Sequence, residues 1–99
     1  MRLENIEEVL ARLKFYVSCD RFYLVQRRDP AKAPVSSFLA KVIIQQLKVD
    51  DFVSHEPNRN NKKQYIWIFK TENDTKYYIK FVFAYPGVVF ISFHEDEEV

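Results

Sequence analysis

Two apolar runs near the C-terminus constrain this sequence more than any other feature. The stretch 76–94 reads KYYIKFVFAYPGVVFISFH, and its Tyr, Phe, Ile and Val residues favour β-strands. Tyr85-Pro86-Gly87 separates the runs and holds the only glycine of the chain, so we predict two antiparallel strands joined by a turn. We expect Gly87 to adopt a positive φ angle. We also expect a loop longer than two residues, because a type II turn twists against a two-residue hairpin.

Alternation along this hairpin predicts one apolar and one partly polar face. Side chains of a strand point to opposite faces in turn, so Tyr78 and Lys80 share one face of the first strand. Ser92 and His94 share one face of the second strand. These four polar side chains are expected to converge opposite the core, where a rigid sheet can support a functional site. The expected core-facing set is Tyr77, Ile79, Phe81, Phe83, Val89, Ile91 and Phe93.

Two earlier segments have the periodicity of amphipathic helices. Apolar residues recur at three- and four-residue spacing from residue 4 to about 18, and Asn5 is a candidate cap. A second apolar stripe runs from Ser36 or Ser37 to about Leu47. Both stripes predict helices that pack on the sheet.

Three further segments have the composition of strands. Arg27 and Arg28 end the first segment; we interpret them as a solvated pair, with phosphate binding as the alternative. The polar run 58–63 predicts a mobile loop, and His55, just before it, an exposed loop histidine. The segments are Arg21–Arg28, an edge candidate; a run that begins at Phe52 and stops at Pro57; and Gln64–Lys70, which is apolar on both faces.

These elements predict a single α+β domain over residues 1–99. Two or three helices are expected on one face of an antiparallel sheet, followed by an acidic tail at 95–99. The net charge of +1 hides an asymmetry, because outside that tail 15 basic and 10 acidic side chains leave a net charge of +5. This balance is compatible with a local patch that binds a polyanion.

Composition excludes several kinds of site. One glycine cannot build a glycine-rich phosphate loop, and one cysteine with two distant histidines gives no zinc-binding spacing, so we expect no metal and no cofactor. Cys19 is interpreted as a small buried hydrophobic residue, with a nucleophile as the alternative, and it is compatible with a reducing compartment. No signal peptide and no apolar run of about 18 residues is visible, so we expect a cytoplasmic protein with no membrane segment.

Metal-free cleavage of RNA remains compatible with these residues. The adjacent 2′-hydroxyl is itself the nucleophile, so the protein must supply a base, an acid and cations for the phosphorane charge. His94 is the first candidate for proton transfer, Tyr78 for proton donation or base stacking, and Lys80 for charge stabilisation. The alternative for His94 is a strand-end histidine bonded to the acidic tail, and for Tyr78 simple packing.

Three blocks of the chain resemble the MqsR family of bacterial type II toxins. They are Trp67-Ile68-Phe69, Tyr78-Ile79-Lys80-Phe81 and Ile91-Ser92-Phe93-His94, preceded by a helix that ends at Leu47 and by Asp51-Phe52. The resemblance covers residues 15 to 95. It implies a RelE-like fold, a sequence-selective endoribonuclease that cuts mRNA, and a partner antitoxin.

The resemblance also implies roles for individual residues. The family's key tyrosine falls on Tyr78, and its C-terminal catalytic or phosphate-binding position, lysine in some members, falls on His94. Many members carry a lysine in the loop where this chain reads Val53-Ser54-His55-Glu56-Pro57, and some carry a glutamine at Ile68. The remaining alternatives are a non-catalytic module that binds RNA or protein and a generic scaffold. The expected RNA contacts are Arg59, Lys62, Lys63 and His55.

Overall fold

A computed structural model describes residues 5–96, apart from the side chains of Ala31 and Lys62. Short 3₁₀ helices at Pro30–Lys32 and Val49–Asp51 connect the main elements. Within these residues no helix is both long and apolar enough to cross a bilayer. The main elements, in chain order, are α1 (Ile6–Ser18), β1 (Phe22–Leu24), α2 (Ser37–Gln46), β2 (Phe52–Asn58), β3 (Asn61–Asn73), β4 (Thr75–Ala84) and β5 (Gly87–Glu95).

The five strands form one sheet in the order β1-β5-β4-β3-β2. The α+β class is therefore confirmed, but the expectation of a purely antiparallel sheet is wrong. β1 pairs with β5 in parallel, while the other neighbours are antiparallel. Alternation of side chains is the same in both pairings, so the sequence pattern does not reveal the direction of β1.

Both predicted helices are present, and Asn5 caps α1 as predicted. At the other end of α1, Cys19 is exposed, so the expectation that it is a buried hydrophobic residue is wrong. The Asn5 side chain accepts a hydrogen bond from the Glu7 amide at 2.7 Å, and the Ser36 hydroxyl accepts one from the Leu39 amide at 3.1 Å. A side chain of α1 binds the C-terminal end of α2: Lys14 Nζ donates a hydrogen bond to the Leu47 carbonyl at 2.8 Å. These contacts satisfy backbone groups that a helix leaves unpaired at its ends.

The hydrophobic core lies between the two helices and one face of the sheet. Burial of its aromatic and aliphatic side chains is the main stabilising contribution to the fold. Phe69, Phe81, Phe90 and Phe93 are its largest fully buried members. The core includes Val9, Leu10, Leu13 and Val17 of α1, Ala40, Ile43 and Ile44 of α2, and Trp67, Phe69, Ile79, Phe81, Val88, Phe90 and Phe93 of the sheet.

A β-bulge in β5 changes the predicted faces of the central hairpin. Phe81 pairs with Phe90 whereas Lys80 pairs with Ser92, so Ile91 is an extra residue. Val88 and Phe90 therefore belong to the core together with Phe93. The expectation that Val89 and Ile91 accompany Phe93 in the core is wrong. A strict alternation pattern cannot detect an inserted residue of this kind.

The predicted mobile loop at 58–63 is instead a tight hairpin. β2 and β3 pair up to Asn58 and Asn61, leaving Arg59 and Asn60 as the turn. The Asn58 side chain accepts from the Asn60 amide at 3.0 Å, and the Asn61 side chain accepts from the Lys63 amide at 3.1 Å. Such local bonds from asparagine side chains stabilise turns, which is why a polar run continues the sheet here.

Two other strand boundaries differ from the sequence expectation. β3 extends to Asn73, and the single turn residue Asp74 takes a φ of 65°, a conformation that Asp tolerates. The edge strand β1 covers only Phe22–Leu24 rather than Arg21–Arg28, because pairing with β5 ends after the Val25 amide bonds to the Phe90 carbonyl.

Gly87 is required for close packing and not for a positive φ. The hairpin loop is the two-residue turn Tyr85–Pro86, which contains a cis peptide bond, and the φ of Gly87 is not positive. A Cβ atom on Gly87 would overlap the backbone carbonyl of Arg21, whose oxygen accepts from the Val88 amide at 3.0 Å. Both expectations for this turn are therefore wrong.

We predict that Gly87→Ala destabilises the fold. The added methyl group has to displace backbone atoms of Arg21, which separates β1 from β5, so we expect a loss of about 1–3 kcal/mol in the free energy of unfolding. Denaturant titration measures this loss. An unchanged midpoint would show that the two backbones do not need their close approach.

Candidate active site on the open sheet face

The sheet face opposite α1 and α2, here called the open face, holds Tyr78 and His94 side by side. The two residues are direct cross-strand partners on β4 and β5, and their ring centroids lie 5.5 Å apart. Both side chains are half-buried. The pleat predicts this pairing, and the structure brings the two groups together.

Lys80 occupies the next cross-strand row on the open face. It pairs with Ser92. The side chains of Lys80 and Ser92 point to the same face as those of Tyr78 and His94, because the pairing of β4 with β5 is regular from this row to the end of β5. The Lys80 side chain is 28% exposed, and its Nζ lies 4.0 Å from a carboxylate oxygen of Glu56 on β2. The three predicted catalytic side chains thus share one face.

Arg27 adds a second cation at this row. Its Nη2 donates to the Ile91 carbonyl at 2.7 Å and to the Ser92 hydroxyl at 3.0 Å. The carbonyl that it binds belongs to the residue inserted by the bulge. The Arg27 side chain is thus bonded to the edge of the site, although Arg27 lies 65 residues from Ser92 in sequence. Phosphate binding by Arg27 stays a prediction.

Lys70 and Asp96 both lie near Tyr78, Lys70 on the neighbouring strand β3 and Asp96 just beyond β5, two residues after His94. Lys70 pairs with Tyr78 across β3 and β4, and its Nζ lies 5.8 Å from the centre of the tyrosine ring. The same ammonium lies 3.5 Å from Asp96 Oδ2. Sequence reasoning did not select either residue, because only the strand register shows that they adjoin the site.

The imidazole of His94 has a defined orientation. Its Nδ1 lies 2.8 Å from the carbonyl oxygen of Glu95. A carbonyl oxygen only accepts, so this contact is a hydrogen bond when Nδ1 carries the proton. In the neutral ring that tautomer leaves Nε2 with its lone pair, and Nε2 is then able to accept a proton from a substrate.

The environment of Tyr78 favours the neutral phenol. Partial burial raises the pKa of Tyr78, the negative charges of Glu56 and Asp96 raise it further, and the positive charge of Lys70 opposes them. A tyrosine hydroxyl already carries its proton at neutral pH, and these surroundings extend the neutral form to higher pH, so the group is available as a hydrogen-bond or proton donor.

Part of the apolar surface below these polar groups is dry although no helix covers it. Ile68 of β3 and Val82 of β4 are only 9% and 7% exposed, yet they lie outside the main core. Ile68 pairs with Lys80. Neighbouring side chains on the open face therefore shield this part of the sheet from water.

A groove of about 780 Å³ adjoins Lys80 at the β2–β3 hairpin. Its lining includes Lys80, Glu56 and the turn residue Arg59. Of the expected RNA contacts, Arg59 is therefore near the site. Lys63 is exposed on β3 beside the same hairpin turn, where the pairing of β2 with β3 changes register. The side chain of Lys62 lies outside the described part of the chain.

His55 lies on the other side of the sheet. It is a half-buried strand residue and not the exposed loop histidine that the sequence predicts. Its ring lies 5.1 Å from that of Tyr65 and 5.4 Å from that of Trp67, and its Nδ1 is buried without a hydrogen-bond partner among the described residues. The sheet separates His55 from Tyr78 and His94.

Other comparisons give no further assignment. Within residues 5–96, no three His, Cys, Asp or Glu side chains are grouped so that they could hold a metal ion. No protein-family model, curated protein or solved structure matches the chain.

We predict that the phenol of Tyr78 titrates above its ordinary value of about 10. The difference in phenolate absorbance between the wild type and Tyr78→Phe, followed with rising pH, isolates this group from the other tyrosines. In Glu56→Gln the pKa should fall only part of the way back, because burial is the larger cause. A transition at or below the ordinary value would contradict the described environment.

Proposed function

We propose that this chain is a metal-independent endoribonuclease that cleaves mRNA, acting as the toxin of a type II toxin-antitoxin system. The observation that carries the proposal is the cross-strand pair of Tyr78 and His94, 5.5 Å apart on the open face, with Lys80 in the next row. An acid, a base and a cation on one rigid surface are the groups that cleavage through the 2′-hydroxyl needs.

The proposed reaction is an internal transfer at phosphorus. His94 Nε2 removes the 2′-hydroxyl proton while the 2′-oxygen forms a bond to phosphorus. The bond from phosphorus to the 5′-oxygen then breaks, and Tyr78 gives its proton to that oxygen. The products are a 2′,3′-cyclic phosphate and a free 5′-hydroxyl. A proton passes from His94 to the Tyr78 phenolate, through water, to restore both groups.

The assignment of base and acid follows from the surroundings of each group. The bond from His94 Nδ1 to the Glu95 carbonyl leaves Nε2 to accept a proton, and the phenol of Tyr78, whose pKa is raised, carries its proton at neutral pH. Groups on adjacent strands can contact the entering and the leaving oxygen of one phosphate. Each proton transfer is worth about 10²–10⁴-fold in rate.

Charge stabilisation is assigned to Lys80 and Arg27. Lys80 is the cross-strand partner of Ser92 in the row next to the reactive pair, with its ammonium 4.0 Å from Glu56, and the guanidinium of Arg27 donates to the Ser92 hydroxyl. Both can bind the non-bridging oxygens of a phosphate, on which charge develops. Arg59, at the groove that Lys80 also lines, is placed to bind a neighbouring phosphate.

The family assignment rests on three sequence blocks that lie next to one another in the sheet. Trp67-Ile68-Phe69 is on β3, Tyr78-Ile79-Lys80-Phe81 on β4 and Ile91-Ser92-Phe93-His94 on β5. β4 is between β3 and β5. This adjacency is compatible with a RelE-like arrangement. A cognate antitoxin as partner and action in the cytoplasm on mRNA are part of the proposal and rest on the sequence resemblance.

A second candidate is a module of the same fold that binds RNA or protein without cleaving it. Two carboxylates favour it: Glu56 lies 4.0 Å from Lys80 Nζ, and Asp96 lies 3.5 Å from Lys70 Nζ. Both reduce the positive potential that a polyanion encounters. Catalysis and binding are separated by the following experiments.

We predict that the purified protein cleaves single-stranded RNA in EDTA and leaves cyclic-phosphate ends. His94→Ala and Tyr78→Phe should each reduce the rate by about 10²–10⁴-fold, because each removes one proton-transfer group. Gel analysis of a labelled RNA gives the rates.

Tyr16→Phe is the matched control for Tyr78→Phe. It removes the same phenol oxygen from a half-buried tyrosine of α1, on the helix side of the sheet, and should keep the wild-type rate. No cleavage by the wild type, or full activity of His94→Ala, would remove the nuclease assignment and leave the binding module.

We predict that expression of the wild-type chain arrests bacterial growth and that His94→Ala does not, because arrest follows from mRNA cleavage. Co-expression of the adjacent open reading frame should restore growth if it encodes the antitoxin. Colony counts after induction measure both effects. Growth arrest that persists in His94→Ala would point to binding instead of cleavage.

A further inference from the structure

Lys70 extends the row that contains the two proposed proton-transfer groups. The order across β3, β4 and β5 is Lys70, Tyr78, His94, each residue being the direct partner of the next. Neighbouring strands lie about 4.8 Å apart, so the Lys70 backbone is one strand spacing from Tyr78 and two from His94. With 42% of its side chain exposed, this lysine can be reached from the open face.

Asp96 is held against Lys70 by the backbone. Its amide donates to the Lys76 carbonyl at 2.8 Å, which continues the pairing of β5 with β4 beyond Glu95. The carboxylate then lies 3.5 Å from Lys70 Nζ and is itself only 19% exposed. The carboxylate thus has a fixed position, whereas the ammonium lies at the end of a flexible four-carbon chain.

We propose that Lys70 is a further phosphate-binding residue of this site and that Asp96 is its internal counter-ion, which an RNA phosphate must displace. The inference rests on the proposed function for its ligand, a single-stranded RNA. The phosphate that Lys70 binds is the one next to the scissile phosphate, beside Tyr78 and toward Asp96 at the end of β5.

Lys70 can exchange the Asp96 carboxylate for an RNA phosphate at a small cost in free energy. Only the ammonium side of this ion pair is exposed, while the carboxylate is largely buried. Because ion pairs near the surface contribute little to the stability of a fold, little is lost when the ammonium leaves the carboxylate. RNA phosphate offers the same ligand chemistry with a negative charge on each nucleotide. Asp96 therefore lowers the affinity of the site for RNA without being needed for folding, and it favours release of the cut strand.

The inference is tested by measuring how tightly Asp96 and Lys70 variants bind an uncleavable RNA. The probe is a fluorescent single strand with 2′-O-methyl groups at every position, which lacks the nucleophile, and anisotropy gives Kd at several salt concentrations. Asp96→Asn should tighten binding by about two- to fivefold, the range expected from one ion pair near the surface. Lys70→Met should weaken binding and reduce the salt slope by about 0.7, the value for one phosphate contact on a single strand.

The double variant distinguishes a specific counter-ion from a general change in charge. If Asp96 acts through Lys70, the effect of Asp96→Asn on affinity falls in the Lys70→Met background to that of a general change in charge. Asp74→Asn is the matched control, since it removes the same charge at the β3–β4 turn and asparagine also tolerates the positive φ there. It should tighten binding less than Asp96→Asn and by the same factor with or without Lys70.

Failure of this inference differs from failure of the proposed function. Equal effects of Asp96→Asn and Asp74→Asn, or an Asp96→Asn effect that is as large in Lys70→Met as in the wild type, overturn the counter-ion role even in an active nuclease. Coupled effects on binding in a protein that cuts no RNA support the counter-ion role and overturn the nuclease. Thermal unfolding of each variant confirms that the changes in affinity occur in folded protein.

Discussion

The extra residue at Ile91 is the constraint on which both the core and the candidate site depend. Before the bulge, Phe90 packs in the core beside Phe81; after it, Ser92 and His94 point to the open face. In an uninterrupted strand, positions 90, 92 and 94 would share one face. Without the insertion, burial of Phe90 would turn His94 toward the helices and away from Tyr78. The bulge therefore reconciles the hydrophobic pattern with the polar site, and Arg27 binds the carbonyl of the inserted residue.

Much of the fold is predictable from local patterns, and the errors concern non-local pairing. Helical periodicity and capping residues locate α1 and α2, and the aromatic runs locate β4 and β5, because burial and backbone satisfaction act within a few residues. The direction of β1 and the insertion in β5 do not alter the local pattern enough to be recognised. Gly87 shows the same limit, since the backbone that requires it belongs to Arg21, far away in sequence.

The candidate site likewise contains residues that local sequence patterns predict and residues that depend on non-local pairing. Tyr78, Lys80 and His94 are predictable as neighbours because a two-residue period and one hairpin bring them together. Lys70 depends on the register of a third strand. The prediction for His55 is wrong for a related reason. β2 pairs with β3 through His55 and Trp67, which places the His55 ring among aromatic residues on the helix-covered face. Composition alone does not distinguish a loop histidine from a strand histidine.

The dry patch formed by Ile68 and Val82 has a consequence for how the open face can vary. Ile68 is the cross-strand partner of Lys80, so the apolar patch lowers the dielectric constant beneath the charged groups, and the field at the surface depends on apolar residues as well as on the charged ones. Substitutions at Ile68 or Val82 can therefore change ligand preference without altering the reactive groups or the hydrophobic core.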